Sequence, residues 1–167
     1  PDVRDRILVL RIGGNDLLAL LGIRRPRTMT IYRTPLGTLI ARLVTLFKPY
    51  GFALTAPVFE HLEDFELLAQ EIEEDLAHGM VGKTAIHPRQ VALIDRHYRI
   101  SHRDLQAAMS IINPASPAVF KMHDSMCEVA THGSWARSVV ENAHVFGMQQ
   151  GEDSSAAGHD RSLEQPG

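Results

Sequence analysis

Apolar residues fill positions 7–10 and return at 12, interrupted only by Arg11, and this strand-length stretch stops at Gly13-Gly14. Asn15 and Asp16 then precede Leu17-Leu18-Ala19-Leu20-Leu21. The pattern predicts a strand over 7–12, a glycine turn, an N-cap at Asn15 and a helix ending at Gly22. From Pro35, a stripe of Leu36, Ile40, Leu43, Val44 and Phe47 predicts a packing helix that ends at Lys48-Pro49-Tyr50-Gly51. A second strand is expected over 52–56, halted by Pro57, followed by a helix capped by Asp64 with Phe65, Leu68, Ile72 and Leu76 on its apolar stripe. Glu66, Glu71, Glu73, Glu74 and Asp75 lie among those positions and read as a solvated face. A third strand over 81–86 leads through His87-Pro88 into a helix over 89–98 whose inner face is Val91, Ala92, Leu93 and Ile94. Strands alternating with helices over short connections predict parallel neighbours joined by right-handed crossovers. Asp16, Glu60 and His87 would then share one edge.

Beyond Ser101 the pattern changes to helix and loop. A helix over 104–112, a break at 113–117 and a helix over 134–146 are expected, with no fourth strand, and the polar tail 148–167 is expected to be disordered. The chain thus divides into strand-helix units over 1–100, a helical segment over 101–147 and the tail. A length of 167 residues suits one sizeable core, and a net charge of −3 leaves no electrostatic footprint for nucleic acid. No stretch approaches the roughly 18 apolar residues of a membrane helix and no signal-peptide pattern opens the chain, so the expectation is a cytoplasmic protein without a membrane or nucleic-acid partner. The single cysteine, Cys127, has no partner for a disulfide, in keeping with a reducing compartment. Pro1 in place of an initiating Met predicts the back part of something longer.

In parallel α/β folds, ligands gather where strands end, because loops vary there over a rigid sheet. Asp16 sits at such an end and reads either as a functional acid or as a helix-start acid. Arg24, Arg25 and Arg27 form a basic loop near the same mouth, suited to phosphate or carboxylate or simply solvated. Glu60 and His61 follow the second strand's end. His87 either hydrogen-bonds its own turn or contacts a ligand. His123 and His132 read as structural, and Trp135 as packing in the last helix.

Four stretches, IGGNDLLALLG (12–22), TIYRTPLG (30–37), VGKTAIHPRQ (81–90) and HDSMCEVATHGSWA (123–136), together resemble the back part of the citrate lyase β-subunit and malyl-CoA lyase class of the HpcH/HpaI aldolase superfamily. Within it they resemble a bacterial branch described as C–C bond lyases of TIM-barrel fold, found with tellurite-resistance and stress-response genes. The resemblance covers 7–147, and its most specific part is Gly82-Lys83-x-Ala85-Ile86-His87-Pro88-x-Gln90. It implies an α/β fold, a partial TIM (β/α)8-type barrel made of the last three βα units plus C-terminal lid helices. It also implies Mg2+ held at the mouth by one Glu and one Asp, with Asp16 on the Asp position. The Glu, and an Arg that neutralises the enolate oxygen, belong to earlier strands absent from this chain. Met126-Cys127-Glu128 occupies a lid motif that reads Gly-x-Met-Ile-Asp in the family, so Glu128 stands in for the catalytic Asp and would act on a neighbouring subunit. Ala56-Pro57-Val58 departs from a family Asp before Val, so substrate recognition is expected to differ.

The site set is therefore Asp16 for metal, Gly13, Gly14, Arg24, Lys83 and His87 for substrate or cofactor, and Glu128 for catalysis. The implied activity is a Mg2+-dependent carbon–carbon lyase or aldolase acting on a small hydroxy- or keto-acid, free or as an acyl-CoA. Expected partners are that substrate and a homo-oligomer or a complementing N-terminal half. A non-catalytic binding or scaffold member of the superfamily is the alternative, and a phosphate binder using Arg24, Arg25 and Arg27 a third reading. Three units fall short of eight, so the chain alone is expected to be unstable or to associate.

Overall fold

The computed structural model describes residues 3–150. Its first sheet is parallel: β1 (Leu10–Arg11) lies beside β2 (Leu54–Thr55), with Leu10 opposite Leu54 and Arg11 opposite Thr55. On the other side of β2, Ala56 bridges Lys83 in parallel, Val81 N donates to Leu54 O at 2.9 Å and Ala56 N donates to Gly82 O at 2.9 Å. The expected parallel order is present, but each ladder is short. Ile7 and Leu8 stay outside it, Leu8 being 91% exposed, because the facing chain turns away at Gly51, whose φ is +84°. The described strands form an open edge and close no barrel.

Local chemistry sets the helix starts. In α1 (Gly14–Leu20) the N-cap is Gly13 without a side-chain bond, so Asn15 is not the cap; its amide donates instead to Glu60 Oε2 at 3.2 Å. In α2 (Pro35–Phe47), Thr34 Oγ1 accepts from Leu36 N and Pro35 opens the first turn. Asp64 Oδ1 accepts from Leu67 N at 3.0 Å to start α3 (Phe65–Ala77), and His87 Nδ1 accepts from Arg89 N at 3.2 Å to start α4 (Pro88–Tyr98). A Cβ on Gly37 would fall inside the Tyr32 backbone carbonyl. Ala there gains about 1 kcal/mol of helix propensity. The clash is with backbone, which cannot rotate away, and such overpacking costs typically 1–3 kcal/mol. Gly37→Ala should therefore melt at a lower temperature than the parent, as followed by circular dichroism.

Two cores line these elements. Ile12, Leu18, Ile31, Leu36, Ile40, Leu54, Ala56 and Met80 pack around the parallel strands, and Phe59, Leu67, Leu68, Ile72, Ile94 and Tyr98 pack between α3 and α4. Each large side chain so buried contributes about 1.5–3 kcal/mol. Two helix faces differ from expectation. On α3, Leu76 is 38% exposed while Glu71 and Asp75 are fully buried. On α4 the buried face is Gln90, Ile94 and Tyr98, and Val91 and Ala92 are exposed. Gln90 belongs inside because its amide is satisfied: Nε2 donates to Phe59 O and Oε1 accepts from Ile86 N.

The C-terminal part contains α5 (His102–Ile112), a hairpin of β3 (Val119–Met122) and β4 (Ser125–Glu128), and α6 (Val129–Phe146). The hairpin was not expected. It turns at His123 and Asp124, both left-handed with φ of 47° and 64°, the geometry usually signalled by Asn-Gly. α6 begins at Val129, five residues before the expected start at 134. Ala108, Ile111, Cys127, Ala136 and Val139 form the third core, but Trp135 is 43% exposed rather than packed inside. Met148 bridges Ile100 and Gln149 N donates to Ile100 O at 2.9 Å, so the first residues of the expected tail run beside the chain; positions 151–167 lie outside the described residues.

Candidate active site

Because β1, β2 and the segment carrying Lys83 run parallel, the residues that follow them emerge on one side. Asp16 is exposed there in the first turn of α1. Its Oδ2 lies 2.7 Å from where a Cβ on Gly13 would sit, so the missing side chain lets the carboxylate fold back over the turn. A Cβ on Gly14 would lie 2.7 Å from Pro57 Cβ and 2.9 Å from Ile31 Cδ1, so that glycine lets α1 approach the loop after β2. Next to Asp16, Asn15, Arg24, Arg27, Glu60 and His61 border a pocket of about 340 Å3. His61 Nε2 bonds Pro26 O at 3.0 Å, which ties the arginine loop to the loop after β2. Among the described residues no three His, Cys, Asp or Glu side chains converge as a metal cluster.

Below this mouth lies a buried charge network. Arg25 pairs with both oxygens of Glu71 and donates to Val58 O at 2.6 Å. Lys83 Nζ donates to Glu71 Oε1 and Asp75 Oδ2, each at 2.9 Å; Tyr32 Oη donates to Asp75 Oδ1 at 2.6 Å, and Ile31 N to Glu71 Oε2 at 2.9 Å. The Lys83, Glu71 and Asp75 side chains have 0% exposure. Two cations face two carboxylates, which is what makes their burial tolerable. Burial pushes the Glu71 carboxyl up, but Lys83, Arg25 and the Ile31 N–H together hold it below the usual range. For Asp75 burial wins, and Lys83 and Tyr32 only partly offset a rise to about 6. Burial, with Asp75 beside it, raises the Tyr32 phenol far above its ordinary value.

The solvated reading of Glu71 and Asp75 is thus corrected, and a signal for it was present: positions 68, 71, 72 and 75 share one helix face with Leu68 and Ile72. Arg25, engaged by Glu71, is likewise withdrawn from any phosphate site built on all three arginines. Lys83 faces α3 through its two carboxylates rather than open space. His87 bonds its own turn through Nδ1, and Arg24 remains exposed at the pocket. Glu128 lies elsewhere, at the end of β4 beside the third core. Its Oε2 accepts from Thr131 Oγ1 at 2.9 Å, while its backbone N donates to His132 Nδ1 at 3.0 Å. No hydrogen bond or ion pair among the described residues joins it to Asp16.

Parallel strands whose C-terminal ends carry a glycine turn, an open acid and a basic pocket define an α/β protein of the kind that places its ligands at strand ends. The chain belongs to the family of C–C bond lyases of the TIM-barrel fold, whose profile matches residues 1–148. It is 28% identical over 116 residues to the human mitochondrial citramalyl-CoA lyase, a match that takes in 68% of this chain and 31% of that enzyme. Among solved structures it is similar to the protein CitE from Mycobacterium tuberculosis, in complex with magnesium, acetoacetate and coenzyme A. That match has a TM-score of 0.61 and 23% identity and covers 80% of this chain and 51% of that one. A citrate lyase from Burkholderia xenovorans LB400 gives a TM-score of 0.60 at 18% identity, covering 87% of this chain and 48% of that one. The chain therefore spans about a third of the human relative and about half of each solved structure. These likenesses identify a mixed α/β chain that aligns with part of TIM-barrel lyase structures.

Proposed function

We propose that the chain supplies the last three βα units and the lid of a Mg2+-dependent carbon–carbon lyase or aldolase for a small hydroxy- or keto-acid, free or as an acyl-CoA. Family membership supports the reaction class. The observation that carries the site is the Asp16 carboxylate, open to solvent at the mouth and folded over Gly13. Its chemistry fits magnesium, which takes oxygen ligands, needs only one or two carboxylates and keeps several waters. When bound, the metal would supply Lewis-acid charge that favours an enolate. The chain's own residues would do the rest. Gly13 leaves room for the Asp16 carboxylate to fold back and Gly14 seats α1 against the loop after β2, while Arg24, with Arg27 beside it, binds the carboxylate or phosphate of the substrate. His87 fastens the turn that opens α4 through Nδ1, and Lys83 holds the floor through Glu71 and Asp75. Glu128 would deliver the proton that quenches the carbanion left when the carbon–carbon bond breaks, from a neighbouring subunit.

The test is Asp16→Asn in the full-length protein, with Mg2+ affinity measured by calorimetry. The α1 cap is Gly13, so the substitution leaves the helix start alone while removing one anionic ligand. Affinity should fall at least about tenfold, equivalent to about 1.4 kcal/mol. Unchanged affinity would refute the metal role, and a parent protein that binds no Mg2+ would favour the non-catalytic scaffold.

A further inference from the structure

The end of the molecule opposite the mouth carries a second concentration of charge. Helices α3 and α4 both start on the mouth side, so their last turns lie at the strands' other end. There Leu76, Arg96, His97, Arg99, His102 and Gln149 border an open cavity of about 790 Å3, with Gln150 also on its wall. The chain is acidic overall, with a net charge of −3, yet among the described residues two guanidinium groups and two imidazoles line this cavity and no carboxylate does, the nearest being Asp95, which pairs with Arg99.

Its walls are held in place. Ile100 N donates to Gly147 O at 3.0 Å, Gln149 N to Ile100 O at 2.9 Å, and Gln149 Nε2 to Arg99 O at 3.2 Å, so the segment after α6 is fastened to the end of α4. Arg99 is paired with Asp95, Nη2 to Oδ2 at 2.7 Å, and its other N–H groups make no hydrogen bond among the described residues. His97 donates from Nδ1 to Leu93 O at 2.8 Å, which fixes its ring against α4 and makes Nε2 of the neutral ring an acceptor rather than a donor to an anion. Arg96 is exposed and has no hydrogen bond or ion pair among the described residues. Positive groups gathered in a concavity focus the local field on an anion.

We propose that this cavity binds a phosphate-bearing anion. The donors decide the class: two guanidinium forks, the His102 ring and the side-chain amides of Gln149 and Gln150 outnumber what the two oxygens of a simple carboxylate can accept. A diphosphate offers oxygens on two centres, each matched to bidentate arginine. The site is separate from the mouth and does not depend on the lyase reading. A free pyrophosphate and the diphosphate of a nucleotide share this chemistry.

The experiment titrates the full-length protein, in phosphate-free buffer, with inorganic pyrophosphate, ADP and citrate by calorimetry. Pyrophosphate should bind, and binding should weaken as ionic strength rises from about 0.01 M to about 0.15 M, where the screening length contracts from roughly 30 to 8 Å. Arg96→Gln combined with His102→Gln should weaken it at least about tenfold. Both positions are exposed, and circular dichroism would verify that the fold is retained. Tighter binding of ADP than of pyrophosphate would assign a nucleotide, and the reverse a free phosphate chain. No pyrophosphate binding at about 1 mM, or citrate binding as tightly, would overturn the proposal. Retained binding in the double variant together with loss in Arg24→Gln, Arg27→Gln would move the anion to the mouth, overturning this site while sparing the proposed lyase function.

Discussion

Lys83→Met should destabilise the folded protein by about 3–5 kcal/mol, the cost of removing one partner from a buried ion pair. Among the described residues the Lys83 ammonium is the one group that hydrogen-bonds both Glu71 and Asp75, and all three side chains have 0% exposure. Methionine fills much the same space, so little of the loss comes from packing. The loss comes from two carboxylates left inside with one guanidinium. The pH dependence has a definite sign. Asp75 titrates near 6 in the fold against an ordinary 3.8, so the fold favours its protonated form, and that contribution is lost as pH rises through about 6. Without Lys83 both buried carboxyls move up, and the variant loses stability more steeply across the same range. The difference from the parent should grow as pH rises through the range in which the buried carboxyls ionise. Urea unfolding of both proteins across that range measures it, and adding Asp75→Asn to Lys83→Met should recover part of the stability above pH 6. A variant equally destabilised at every pH would mean that Lys83 acts by packing alone.

That network also marks where reading the chain stopped short. Alternation of apolar runs with glycine and proline breaks was enough to place the parallel strands, the Asp64 cap, Pro88 at a helix start and Asp16 at the mouth, because each is a local matter of backbone geometry or capping. Glu71 and Asp75 were harder, since their burial depends on cations 46 and 12 or 8 positions away that local periodicity does not report. The hairpin was hidden for a different reason. Its two turn residues, His123 and Asp124, carry no glycine to announce left-handed backbone, and β3 and β4 are only four residues each. Leu76, inside by helical spacing, and Trp135, inside by residue type, are both partly exposed.

Glu128→Gln should lower turnover of the full-length oligomer by about 10²–10⁴ while leaving substrate affinity nearly unchanged, if Glu128 moves the proton in carbon–carbon cleavage as proposed. Among the described residues its carboxylate accepts one side-chain hydrogen bond, from Thr131 Oγ1 at 2.9 Å. Glutamine keeps an accepting oxygen for that bond but has no acidic proton to give, so the substitution separates proton transfer from positioning. Thr131→Val is the companion: it removes the bond and spares the acid, and should alter turnover far less. Within one chain Glu128 belongs to the hairpin and α6, whereas Asp16 belongs to the parallel strands, and no hydrogen bond or ion pair links them among the described residues. On the proposed reading, its acid would serve a neighbour's mouth. Mixed oligomers of Glu128→Gln and Asp16→Asn protomers should then regain a fraction of the parent activity, because some interfaces pair an intact acid with an intact metal ligand. If each variant is inactive alone and verified mixed oligomers stay inactive, Glu128 serves its own subunit and the shared site is wrong. If Glu128→Gln alone retains full turnover, the residue does no more than fasten the start of α6.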